Sequence, residues 1–165
     1  MNEAGHEQDP GGDRFSISFD DEQHVPVDVP SLRRVAERAL LMLSVPDGAA
    51  LAVTFVEAAR MAELKEQALG HEPGEQRAPT DVLAFPMDDV GDPMPGPIVV
   101  GDVVLCPEVA ETQARAAGHS SGEELSLLLV HGILHCLGRD HATPQEEKAM
   151  FAEQAEILAA AGAAR

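Results

Sequence analysis

The sequence predicts an α/β (α+β) fold in which a small mixed four-stranded sheet packs with about five helices, one of them carrying paired histidines. Three observations carry this. Apolar residues recur with period two in short runs and with a helical period in the runs between them, the mark of strands interleaved with helices. No helical run separates the third and fourth strand-like segments, so that pair can be antiparallel, whereas the earlier alternation favours parallel pairing. Helix ends are punctuated by Pro, Gly and Ser/Thr-x-x-Glu patterns. A chain of 165 residues suits one core better than two. The expected organisation is a flexible acidic tail, residues 1–13, and a single domain, residues 14–165.

Taken in order, Phe15, Ile17 and Phe19 alternate with polar residues as a strand with one buried face. Pro30 and Ser31 open a helix with Ser31 as its N-cap; Leu32, Val35, Ala36, Ala39, Leu40 and Leu43 form its apolar side, leaving Arg33, Arg34 and Arg38 on a solvated face. Leu51, Val53 and Phe55 make a second strand, and Ala58 to Leu69 a helix closed by Gly70. Residues 71–79 form a loop by their Pro, Gly and charge content. Thr80 to Pro86 is a third strand and Ile98 to Cys106 a fourth, apolar enough to be buried on both faces. Pro107 starts a helix that stops at Gly118. Ser121 with Glu124 reads as a capping box for a longer, Leu-rich helix ended by Gly138, and Thr143, Pro144 and Glu146 open a last helix to about residue 160.

Composition narrows the function classes. No apolar run approaches the roughly 20 residues of a membrane span, and the acidic start lacks the basic and apolar regions of a secretory signal, so a cytoplasmic location is expected. The two cysteines, Cys106 and Cys136, sit among aliphatic residues and read as reduced core thiols. A net charge of −18 repels polyanions and counts against broad electrostatic binding of nucleic acid. Trp and Tyr are absent and all five Phe fall on expected strands or helix faces, which argues against an exposed base-stacking platform. A protein of this composition handles RNA, if at all, with a metal and a few local cations.

Three of the seven histidines fall within HGILHCLGRDH, residues 131–141. On a helix, His131 and His135 stand one turn apart on the same side and can converge on one ion. Gly138 supplies the left-handed residue that ends the helix and lets the chain return, bringing His141 towards them. Three neutral imidazoles and an open fourth position suit a catalytic Zn2+ ion, although nickel, copper or cobalt share the same ligand preference. Cys136 lies about 100° round the helix from His135 and is a core thiol rather than a fourth ligand. The bland alternative, two hydrogen-bonded core histidines, leaves the third His after a helix-stopping Gly unexplained. His6, His24, His71 and His119 lack such spacing and read as surface or cap residues. The pattern HxxxHxxGxxH is also that of the metzincin proteases, hence a zincin-like helix, but position 132 is Gly where those enzymes have their general-base Glu. Phosphodiester hydrolysis fits this ligand set better than peptide cleavage.

HGILHCLGRDH, with PTDVLAFP at 79–86 and GDVVLCPE at 101–108 in the same order, resembles the signature blocks of the YbeY endoribonuclease family, and the likeness spans roughly residues 15–158. The resemblance implies an α/β fold with a small mixed sheet, one zinc ion held by His131, His135 and His141, and single-strand-specific endoribonuclease activity in maturation of the small-subunit rRNA 3′ end and in ribosome quality control. Members of that family often carry an Arg six residues before the Thr of the PTDVLSF strand; here Gly74 stands there, and the segment from Leu64 to Thr80 is longer than usual. Arg77, three residues before Thr80, is the candidate for the phosphate-clamping role, its other reading being a solvated loop charge. Arg139, in place of a common aromatic, either assists with phosphate or is merely exposed, and Asp140 caps the turn or orients a histidine. Two other functions stay open at this stage: a ribosome-assembly factor with a structural zinc that binds a ribosomal small-subunit protein or an assembly GTPase, and a zincin-like amide hydrolase.

Overall fold

The computed structural model describes residues 14–70, 80–88, 96–139 and 142–162. The elements run β1 (Ser16–Glu22), α1 (Val29–Met42), β2 (Ala50–Val56), α2 (Ala58–Leu69), β3 (Val82–Pro86), β4 (Val99–Leu105), α3 (Pro107–Ala117), α4 (Ser121–Cys136) and α5 (Pro144–Ala161). The strands form one sheet in the order β1-β2-β4-β3. The pairs β1–β2 and β2–β4 are parallel, while β3 runs antiparallel to β4 with Leu83 opposite Val104. Helices connect the parallel neighbours, and the one antiparallel pair joins β3 and β4, which are consecutive among the described elements. The expected mixed sheet and five helices are therefore found. The tail 1–13, the loop 71–79 with Gly74 and Arg77, and Asp140 and His141 lie outside the described residues.

Alternation along each strand divides the core in two. Ile17, Leu51, Val53, Phe55, Val103 and Leu105 face one side with Leu40 of α1, Leu129 and Ile133 of α4, and Met150 and Ile157 of α5. Val56, Leu83 and Val104 face the other, where Met61 of α2 meets them. Burying β4 on both sides accounts for its almost unbroken apolar sequence.

Helix α4 runs through the middle, packed against β3, β4, α1, α3 and α5. Its approach to the sheet depends on Gly132. A Cβ built there would lie 2.7 Å from Val103 Cγ1 and 3.3 Å from Val82 Cγ2, closer than packed carbons tolerate. A second close approach occurs where β2 and β4 slip register between Ala50 and Leu51: Gly101 has φ +152, and a Cβ there would sit 2.5 Å from the Phe85 carbonyl oxygen.

Several local expectations are corrected. The cap of α1 is Asp28, whose Oδ1 accepts from the Ser31 N–H at 3.2 Å, so Ser31 sits inside the first turn. The capping box of α4 is Ser120 with Glu123, one residue earlier than expected, because Glu124 is buried and engaged by His119 Nε2 at 2.6 Å. Arg33 is not simply solvated; its Nη1 donates to the Ile17 carbonyl at 2.8 Å and its guanidinium lies 5.0 Å from the Phe19 ring centre. Phe151 is 50% exposed, since the buried stripe of α5 is Met150, Gln154, Ile157 and Leu158 and residue 151 falls beside it. The box Thr143–Glu146, with Pro144 in the first turn, is found as expected.

Candidate metal centre

Most of α4 is buried from Glu124 to Cys136; the partly open positions are Leu127, His131 and His135, spaced by four so that they form one stripe. The two histidines on that stripe turn their rings towards each other. Their Nε2 atoms are 3.2 Å apart, the ring centres 4.7 Å apart and the planes inclined at 73°. Two nitrogens bound to one tetrahedral ion at 2.0–2.1 Å would be separated by about 3.3 Å, so the separation of this pair matches that of two ligands of one such ion. Among the described residues no group of three or more His, Cys, Asp or Glu gathers to hold a metal, and His141, the expected third member, lies outside them.

The chain beyond the histidines turns as the sequence requires. Gly138 takes φ +89, its N–H donates to the His135 carbonyl at 3.0 Å, and the Arg139 N–H reaches back to the Leu134 carbonyl at 2.9 Å. This pair of bonds is a Schellman motif, which ends the helix and reverses the chain within two residues. Arg139 is then fixed to α5: its Nε and Nη2 donate to the two carboxylate oxygens of Glu153 at 2.9 and 3.1 Å. That hydrogen bonding raises the guanidinium pKa further. Of the two readings open for Arg139, exposure and assistance with phosphate, the structure qualifies the first: the side chain is partly exposed but held as a bidentate clamp between the turn and α5.

A residue not picked out from the sequence completes the arrangement. Gln154, on the buried stripe of α5 and only 7% exposed, sets its Oε1 3.1 Å from His131 Nδ1. A polar side chain at an i, i+4 interval within the stripe Met150, Gln154, Ile157 was the available signal. Cys136 points elsewhere. It is buried, its Sγ is 3.9 Å from the Asp102 carbonyl oxygen, and burial together with the Asp102 charge pushes its thiol up to about 12. Such a group stays protonated near neutral pH, in keeping with a core role. His24 pairs with Glu57 at the surface and His119 with Glu124, so neither joins the centre.

Residues 17–162 match the family described as Endoribonuclease YbeY. The chain belongs to the endoribonuclease YbeY family. The YbeY relative of Salinispora tropica is 47% identical over 154 residues, 88% of this chain and 95% of that protein. Endoribonuclease YbeY of Beutenbergia cavernae is 48% identical over 148 residues, 87% and 95% of the two chains, and that of Mycolicibacterium smegmatis is 46% identical over 150 residues, 87% and 82%. Among solved structures, the solution structure of TM1509 from Thermotoga maritima superposes with a TM-score of 0.56 at 26% identity, covering 87% of this chain and 86% of that one. The YbeY match runs from Ile17 in β1 to the end of α5, so the paired histidines and the α5 residues beside them lie within it.

Proposed function

We propose that this chain is a zinc-dependent endoribonuclease that cuts single-stranded RNA during maturation of the small-subunit rRNA 3′ end and in ribosome quality control, with His131, His135 and His141 holding one ion. The observation that carries the reading is the 3.2 Å convergence of the His131 and His135 Nε2 atoms on the open stripe of α4. Family membership supports the endoribonuclease activity. When bound, an ion with three neutral ligands supplies undiminished positive charge, which polarises a phosphoryl oxygen and acidifies an attacking hydroxyl. The protein's part is to hold the two α4 imidazoles with their Nε2 atoms close together and to brace His131 from α5 through Gln154. Arg77 is the proposed phosphate clamp, from the loop before β3. Among the described residues no helix is long and apolar enough to cross a membrane, in line with work in the cytoplasm.

Highly purified protein should cleave a single-stranded RNA, and His131→Ala or chelation should abolish the cut while the fold persists. The product ends identify the attacking group, since a ribose 2′-hydroxyl leaves a 2′,3′-cyclic phosphate and water does not. Undiminished cleavage by the His131→Ala protein would overturn the mechanism.

The net charge of −18 favours a second role, in ribosome assembly, through a basic ribosomal small-subunit protein or an assembly GTPase. Rescue of rRNA maturation in cells by a folded His135 variant would make that role the essential one. The amide-hydrolase reading loses its support at position 132, where Gly packs against Val103 and Val82 and a carboxylate has no room.

A further inference from the structure

We infer that Gln154 is a positioning residue that fixes the tautomer of His131, an inference that rests on the proposed zinc site. A neutral imidazole has one N–H and one lone pair, on opposite nitrogens. The Gln154 carbonyl oxygen can only accept, so Oε1 at 3.1 Å from Nδ1 selects the ring form that carries its proton on Nδ1. The lone pair is thereby left on Nε2, the atom 3.2 Å from His135 Nε2. The opposite tautomer would put a hydrogen where the ion has to sit. Gln154 is 7% exposed, so water offers little alternative to this bond and an unmatched carbonyl there is unfavourable.

The choice of an amide over a carboxylate has its own consequence. An acid in this place would bond Nδ1 more strongly but bring a negative charge to a centre that must attract a phosphodiester. The neighbouring acid, Glu153, has its charge matched by Arg139. Consecutive residues of α5 thus perform separate tasks: Glu153 anchors the turn that follows α4, and Gln154 aims a ring without altering the charge of the site.

The test compares the wild-type protein with Gln154→Met, close in size but without the oxygen, and Gln154→Glu, which restores an acceptor. Nitrogen-15 NMR of the metal-free wild type should show His131 protonated on Nδ1, a measurement that needs no variant and no metal. Competition with a chromogenic chelator should show Gln154→Met binding zinc roughly 10–100-fold more weakly, and Gln154→Glu binding at least as tightly as wild type but with lower kcat on RNA. A His131 proton found on Nε2, or equal zinc affinity in the wild type and Gln154→Met, overturns the inference. If the wild type takes up no zinc while His131 is protonated on Nδ1, the role of Gln154 stands and the zinc reading falls.

Discussion

A single methyl group added at position 132 probes how closely α4 lies on the sheet. In an open helix Gly→Ala is stabilising by about 0.8–1.0 kcal/mol, because alanine loses less backbone freedom on folding. Here the new carbon would meet Val103 Cγ1 at 2.7 Å and Cγ2 at 3.2 Å, and Val103 is fully buried in β4 with a stiff, branched side chain that cannot swing aside. Overpacking of this kind costs about 1–3 kcal/mol. The net expectation for Gly132→Ala is a loss of up to about 2 kcal/mol, and in the Val103→Ala background the same change should become stabilising by up to about 1 kcal/mol as the clash is removed. Urea denaturation of the four proteins of this double-mutant cycle measures both effects, with thermal midpoints as a check at roughly 2–4 °C per kcal/mol. If Gly132→Ala stabilises the otherwise unchanged protein by the full helical increment, the tight contact is wrong. So is the inference that a carboxylate at 132 has no room.

Two further outcomes follow from the local corrections. Asp28→Ala should destabilise the protein by about 1 kcal/mol in urea melts while Ser31→Ala costs markedly less, since the carboxylate caps α1 and the serine does not; equal losses would restore Ser31 as the cap. Arg139→Leu should cost about 1 kcal/mol or less, because the ion pair with Glu153 is partly exposed, yet weaken zinc binding by loosening the turn after α4; unchanged zinc affinity would show that the clamp does not serve the site.

Where local chemistry alone sets an element, the sequence is sufficient. Gly70 and Gly118 close their helices at the expected residues, and Thr143, Pro144 and Glu146 open α5 as written. Ambiguity enters where two local solutions overlap. Ser120–Glu123 and Ser121–Glu124 are equally good boxes on paper, and the choice is made by His119, which takes Glu124 into a half-buried pair. Asp28 and Ser31 compete in the same way, three residues apart. The histidine pair was legible because its spacing is helical. Gln154 was not, because its meaning comes from α5 lying across α4, a packing relation that no run of neighbouring residues encodes. Arg33 and Arg139 went the same way: a cation reads as solvated until the fold supplies its partner. Phe151 shows the converse, a large apolar ring left outside because the stripe beside it fills the core.

Among the described residues the order β1-β2-β4-β3 leaves β1 and β3 with an unmatched flank, and each is made a poor template for a stray chain. Ser16 turns its N–H to Ala49 in the β2 direction, so Ile17, next along, directs its carbonyl outward, where Arg33 occupies it. Three consecutive acids, Asp20, Asp21 and Glu22, finish that strand and would repel a second copy aligned beside it. At the far flank β3 is only five residues long and ends in Pro86, which has no N–H to offer. The sheet is thereby protected from fibril-like growth at either side by a guanidinium, a run of carboxylates and an imino acid.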